Sequence, residues 1–308
     1  MKRLILHISA LLALTSCVQQ NRMPDVHILH DTIRDTVYLP MPDSDAKGTD
    51  AKAEETQSVV VKEGETSYFD GFTCKEYDAV FNIYYNEDTN TEFLRELRIV
   101  YPIEYGNMVI LSKIQKKVLD ATGLDSENSD IKNNITNLIE SDFNDWKEGE
   151  ASPLPEDGPG LSNTLYMQGS IDFFNGKILC YKTYMETYTG GAHGHYSTNY
   201  IVFDMTDGSV ISASDIFNEG YKNGLSKILR NRAKTTNNWS EEDLISNLNS
   251  PDEIEASDNF RISNDSITFV YNPYEIGSYA TGIVKISVPF DEIKEFLKDD
   301  KAHILPIE

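Results

Sequence analysis

The chain has 308 residues, with 27 Lys and Arg against 50 Asp and Glu, a formal net charge of −23 and a sequence pI of about 4.6. That balance excludes a nucleic-acid binder, which needs clustered Lys and Arg to neutralise phosphates, and excludes docking through a basic patch on an anionic lipid surface. Apolar residues make up 40% of the chain and aromatic residues 10%, so a core can form, but no internal run reaches the roughly 18 apolar residues of a membrane span.

Residues 1–17 read MKRLILHISALLALTSC. A basic start, an apolar run from Leu4 to Leu14 and small residues before a cysteine occur in the order of a secretory signal. The end, Leu14-Thr-Ser-Cys17, resembles the bacterial lipobox, which predicts lipidation at Cys17; a plain signal peptide is the alternative. Acyl chains on Cys17 would hold the protein on a membrane without a spanning helix. Val18, the next residue, is not an acidic retention signal and points to the outer membrane, with display in the periplasm or on the surface. Residues 18–66 are acidic, poor in aromatics and punctuated by Pro24, Pro40 and Pro42. They predict a flexible tether, too polar to offset its own ordering entropy. At about 50 residues its root-mean-square reach is roughly 40 Å.

Folded character is expected from 67 onward. Strands are predicted at 68–74, 77–86 and 93–103, where β-branched and aromatic residues alternate with polar turns. Helices are predicted at 106–121, where Met108, Leu111, Ile114 and Val118 share a face, and at 130–147, where Ile131, Ile135, Leu138, Ile139 and Trp146 do. Three prolines and three glycines between Glu148 and Asn163 mark a break. This divides the body into an N-terminal subdomain, 67–150, and a C-terminal domain, 164–308. The latter opens with strands 164–174 and 177–188 around an Asn175-Gly176 turn, a strong hairpin signal. Strands 197–204 and 208–212, helices 221–236 and 241–248 (the second capped at Ser240), and strands 260–263, 266–272 and 281–288 follow. Pro289 then opens a last helix, 290–298. The whole reads as α+β, with mostly antiparallel sheets, helices packed on one face and two similar-sized subdomains.

Catalytic motifs are missing from the sequence: it has no Gly-x-Ser-x-Gly elbow, no His-Glu-x-x-His, no phosphate-binding Gly-rich loop and no Cys-x-x-Cys. The most unusual segment is Tyr188-Thr-Gly-Gly-Ala-His-Gly-His-Tyr196. Gly190, Gly191 and Gly194 admit backbone geometry closed to other residues. His193 and His195 would face one side of an extended chain, but two imidazoles fall short of the three or four ligands zinc takes. The segment therefore reads as a structural loop, as a ligand contact through Tyr188, Gly190, Gly191 and His193, or as a weak metal site at His193 and His195. No cofactor is expected. Tyr271-Asn-Pro-Tyr-Glu-Ile-Gly-Ser-Tyr279 is a second Tyr/Gly cluster, and Tyr274 and Tyr279 suit sugar or protein surfaces. Cys74 and Cys180 remain after the signal, in a compartment that permits disulfides; they are read either as one bridge or as two buried thiols.

Thr189-Gly-Gly-Ala-His193, Phe203-Asp-Met-Thr-Asp-Gly208 and Ser214-Asp-Ile-Phe217 occur in order. The run from Phe269 to Gly282 and Val288-Pro-Phe-Asp291 follow them. Together they resemble a bacterial extracytoplasmic domain family of unknown function, and 68–150 resembles the companion domain that precedes it. The pair is known from RsiV-type anti-sigma factors, which bind lysozyme, and from PdaC-type peptidoglycan deacetylases. The resemblance implies an envelope module that recognises something, and implies no reaction. Neither a sigma-binding segment nor a deacetylase metal motif is legible, so neither relative's activity is expected here. The leading expectation is a non-catalytic, lipid-anchored envelope protein that binds a cationic lysozyme-like protein or a peptidoglycan or polysaccharide glycan. The alternatives are an envelope hydrolase using His193 and His195, and a purely structural envelope protein.

Overall fold

In a computed structural model, residues 58–86, 91–150, 162–298 and Leu305 are described. The expected signal, Cys17 and most of the expected tether lie outside them. Strands β1 (Val61–Phe69), β2 (Phe72–Asn86) and β3 (Thr91–Tyr105) form an antiparallel meander. β1 corrects the expected tether, whose last residues are strand. Its sequence, VKEGETSYF, lacks an apolar stripe because an edge strand is held by backbone bonds along one side and by ion pairs: Glu63 meets both Lys75 and Lys132. The turn into β2 sits at Asp70-Gly71, with Gly71 at φ +72°, and β2 runs unbroken through the 75–76 gap expected between two strands.

On β2 and β3, Tyr77, Ala79, Phe81, Phe93, Leu97 and Ile99 are buried, while Glu76, Asp78, Val80, Glu96 and Arg98 alternate with them on the other face. Two helices cover the buried face. In α1 (Met108–Ala121), Ile110, Leu111, Ile114, Val118 and Leu119 make the inward stripe, and Asn107 caps the start by accepting from Val109 N and Ile110 N at 3.0 and 3.3 Å. In α2 (Ile131–Glu150), Ile131, Ile135, Ile139 and Trp146 do the same work. The helices form the crossover that lets the next strand, β4 (Asn163–Phe174), pair parallel to β3. Arg95, only 5% exposed, locks the crossover: Nε meets Asp142 of α2 at 2.7 Å, and Nη1 donates to Asn163 O of β4 at 3.1 Å. One sheet thus runs across the expected boundary between the two parts.

β5 (Ile178–Tyr188) follows β4 through the predicted turn, where Asn175 Oδ1 accepts from Lys177 N and Ile178 N and Gly176 sits at φ +82°. β6 (His195–Asp204) completes a six-stranded sheet in sequence order, antiparallel except at β3/β4. β5 and β6 are buried on both faces at one end. Leu179, Tyr181 and Phe203 join the core beneath α1 and α2, while Ile178, Cys180 and Val202 join a second core.

This alternation decides between the two readings of the cysteines in favour of two buried thiols. Cys74 and Cys180 are free, buried thiols in different cores, one on each face of the sheet. Their strands, β2 and β5, are three places apart, about 14 Å at the usual spacing, and a bridge needs Cα atoms within about 7 Å. Burial pushes both thiols up to about 12.

The second core is closed by α3 (Ala213–Ile216), α4 (Lys222–Asn237), α5 (Glu241–Asn247) and a three-stranded antiparallel sheet of β7 (Phe260–Ile262), β8 (Ser266–Tyr271) and β9 (Val284–Pro289). α5 carries the expected cap, Ser240 Oγ accepting from Asp243 N at 3.1 Å. Two expectations fail. Segment 208–212 meets β6 through a single bridge, Phe203 to Val210, because Asp204 and Asp207 fold the chain into tight turns. Pro289 ends β9 and opens no continuous helix; the 290–298 stretch breaks into two 3-10 turns, Phe290–Glu292 and Lys294–Phe296. Among the described residues no helix is long and apolar enough to cross a membrane.

Side chains join the two sheets. Among the described residues the outer edge of β6 meets no further strand beyond the Phe203–Val210 bridge, so its outward backbone groups need partners. Asn259 supplies two: Oδ1 accepts from Tyr200 N at 2.9 Å, and Nδ2 donates to Thr198 O at 2.8 Å. Asn272 Oδ1 accepts from Thr198 N at 2.8 Å. The two asparagines imitate a seventh strand.

Candidate functional site

The seam ends where Asn272 leads into the loop before β9. Tyr274 in that loop is 59% exposed and holds φ +74°, one of two non-glycine residues with positive φ among the described residues. The geometry costs a residue with a Cβ free energy, and such strain concentrates at functional surfaces. It is held by Tyr274 N donating to Gly277 O at 3.1 Å and by Glu275 Oε2 accepting from Asn272 N at 2.9 Å. Gly277 is required where it stands, since a Cβ there would lie 2.6 Å from Asn247 O.

Tyr279 is the hub of the cluster. His193 stacks on it with ring centroids 4.0 Å apart and an interplanar angle of 22°. Tyr196 meets it edge-to-face at 5.5 Å, and Tyr274 lies 5.9 Å away. His193, Tyr274 and Tyr279, expected from separate sequence segments, thus converge on one rim. Tyr196, which spacing alone did not single out, joins them from β6. Desolvation, then the neighbouring Tyr196, Glu186 and Tyr274, raise the Tyr279 hydroxyl above its ordinary range.

The glycine loop that presents His193 is built by backbone freedom. Gly190 and Gly191 sit at φ +91° and +98°, and a Cβ on Gly194 would lie 2.7 Å from Thr187 O. Tyr188 braces the loop by donating to Gly191 O at 3.0 Å, and His193 Nδ1 lies 2.8 Å from Gly194 O. Tyr188, Gly190 and Gly191 therefore shape the rim, while the ring surface comes from His193 and the tyrosines. His193 and His195 do not face the same way. His195 pairs with Thr187 on β5, in the alternation class that faces the helices, whereas His193 lies over Tyr279 on the Tyr196 side. Among the described residues no three His, Cys, Asp or Glu side chains group as a metal site would require.

The rim continues onto the sheet face opposite α1 and α2. Register places Glu96 of β3, Tyr166 of β4, Glu186 of β5 and Tyr196 of β6 in one cross-strand row. Tyr184 lies one step back on β5 and donates to Glu186 Oε2 at 3.0 Å. Tyr166 and Tyr184 meet edge-to-face at 5.9 Å. Burial, and then the bond to Glu186, push Tyr184 up to about 12; burial and then Glu96 raise Tyr166. Their significance lies in pairing across strands, which sequence spacing does not reveal.

Two of the expected motifs turn out to hold the fold. In Phe203–Gly208, Asp204 Oδ1 accepts from Thr206 N and Oγ1 at 2.9 and 2.6 Å, and Gly208 presses against Ile110 of α1. In Ser214–Phe217, Asp215 Oδ2 accepts from Ser212 N at 2.8 Å and so starts α3.

Residues 214–291 match a family model described as a protein of unknown function. That model is the one for DUF3298, and it covers 78 of the 308 residues. The matched segment runs from α3 through β9 and supplies Tyr274 and Tyr279, while His193, Tyr196 and the sheet face lie before it. The fold is similar to the crystal structure of a DUF3298 family member from Bacteroides fragilis, with a TM-score of 0.63 and 22% identity over 75% of this chain and 94% of that one. It is also similar to a DUF3298 family protein from Pseudomonas aeruginosa, with a TM-score of 0.52 and 13% identity over 76% of this chain and 97% of that one. No curated protein matches the chain.

Proposed function

We propose that the chain is a non-catalytic envelope protein, carried on lipidated Cys17 at the outer membrane, that binds a protein or a glycan through the His193–Tyr279 rim. The observation that carries this reading is the convergence of His193, Tyr196, Tyr274 and Tyr279 from different segments onto one accessible patch. Aromatic rings with polar tips bind surfaces that are partly apolar and partly wet. The lipobox supports the anchor, and the resemblance to RsiV-type and PdaC-type extracytoplasmic regions supports display in the envelope. The ligand is either a cationic lysozyme-like hydrolase, favoured by the charge of −23, or peptidoglycan or polysaccharide.

Immobilised lysozyme at low and moderate salt, and sedimentation with purified sacculi, test the two ligands. The wild-type chain is expected to be retained by one of them, and Tyr279→Ala to be lost from that ligand. Retention by neither removes the reading. Tyr274→Asn separates binding from folding. Asparagine tolerates positive φ better than tyrosine, so this variant is expected to gain about 1 kcal/mol of stability in a thermal melt while losing retention. A variant that binds as wild type would place Tyr274 outside the contact.

A further inference from the structure

We propose that Glu186 and the four tyrosines around it form a cage for an organic cation, an alkylammonium or guanidinium group. This rests on the binding reading above and names the chemistry the site takes. Tyr166, Glu186 and Tyr196 are cross-strand neighbours on β4, β5 and β6, each about 5 Å from the next in the sheet. Tyr184 bonds the carboxylate from the same strand, and Tyr279 closes the far side through its contact with Tyr196. The rings form two edge-to-face pairs, Tyr166 with Tyr184 at 62° and Tyr196 with Tyr279 at 68°, one on each side of the carboxylate. An edge-to-face pair is a corner that leaves a ring face open, and ring faces attract cations.

The carboxylate supplies the second half of the recognition. Glu186 is exposed, its four tyrosines are each half-buried, and among the described residues it forms no ion pair. Two arginines are engaged elsewhere. Arg98, one row along the same face, is held by Asp78 at 2.7 Å, and Arg261 faces Asp172 at 2.9 Å. A negative charge ringed by aromatic faces and left without a cation suits a ligand that brings one. A neutral sugar would use the rings but not the charge.

Ring-labelled tyrosine NMR on the full chain tests the cage with arginine amide, lysine amide and tetramethylammonium as cations, and with citrulline amide and chitotriose as neutral controls. The cations are expected to give saturable shifts with Kd on the order of 1 mM, and citrulline amide to bind at least about tenfold more weakly. Preference for arginine or lysine amide assigns the cation to a protein side chain; preference for tetramethylammonium assigns it to a free organic amine. Glu186→Gln is expected to weaken the cations roughly tenfold, with the neutral controls unmoved. Tyr184→Phe keeps the ring and frees the carboxylate from its hydrogen bond, so it is expected to bind at least as well as wild type and guards against a folding defect. No saturable shift with any cation overturns the proposal, as does arginine amide binding no better than citrulline amide, or Glu186→Gln binding as wild type. Loss of the cation response with retention on lysozyme or sacculi intact removes the cage alone. A cation response without retention on either removes the broader reading and leaves the cage.

Discussion

Asn259→Leu is expected to destabilise the fold by about 3–4 kcal/mol in urea denaturation, more than any surface substitution. The side chain is lost as both acceptor and donor, and the groups it served cannot turn to water. Thr198 and Tyr200 are 4% and 8% exposed, so Tyr200 N and Thr198 O would be left buried and unpaired. Each orphaned group costs roughly 1–3 kcal/mol. Asn272→Leu removes the bond to Thr198 N on the same edge, so the double substitution is expected to cost less than the sum of the two singles. The functional effect should exceed the loss of stability. β6 carries Tyr196 and Asn272 leads into the loop that carries Tyr274 and Tyr279, so the seam aligns the two halves of the rim. Partner retention should fall in Asn272→Leu even where the protein remains folded. A cost below about 1 kcal/mol for Asn259→Leu would mean that β6 keeps its place by core packing alone.

The sequence was most legible where one physical rule acts locally. The stripes of α1 and α2, the Asn175-Gly176 turn and the Ser240 cap each follow from a few neighbouring residues and lie where spacing put them, except that Met108, expected on the α1 stripe, is 70% exposed at the helix start and Ile110 and Leu119 are buried instead. It was least legible where the rule is non-local. β1 carries no alternation because its neighbour's backbone holds it, and Pro289 reads as a helix opener until it is seen to end β9 opposite Ser266 of β8. The cysteines illustrate the same limit, since both occupy strands but only the sheet order sets their separation. At the site, glycine and histidine stood out as unusual residues, and His193 does lie on the rim. Glu186 and Tyr166 look like ordinary strand residues until register sets them side by side. Conspicuous motifs can be structural: Phe203–Gly208 stands out because tight turns demand particular residue types.

Gly169→Ala is expected to cost at least about 2–3 kcal/mol, a large penalty for one methyl group. Gly169 lies on β4 opposite Thr183, beside the phenol end of Tyr181. A Cβ there would overlap the Tyr181 hydroxyl and lie 3.0 Å from its Cζ. Tyr181 cannot yield, because it is fully buried between the sheet and the helices. Its hydroxyl has no hydrogen-bond partner among the described residues, and burial raises it well above the ordinary phenol range. That orphaned hydroxyl gives the pair a sharp signature. Tyr181→Phe removes an unsatisfied buried group and is expected to stabilise the protein by about 1 kcal/mol or more. In the Tyr181→Phe background the atom that clashes is gone, so Gly169→Ala should lose roughly half of its penalty. Chemical denaturation of the four species gives the coupling directly. Additive effects would place the cost of alanine in the β4 backbone and not in the hydroxyl. Strong coupling would show that glycine is kept at 169 to leave room for a tyrosine whose polar tip the core does not otherwise accommodate.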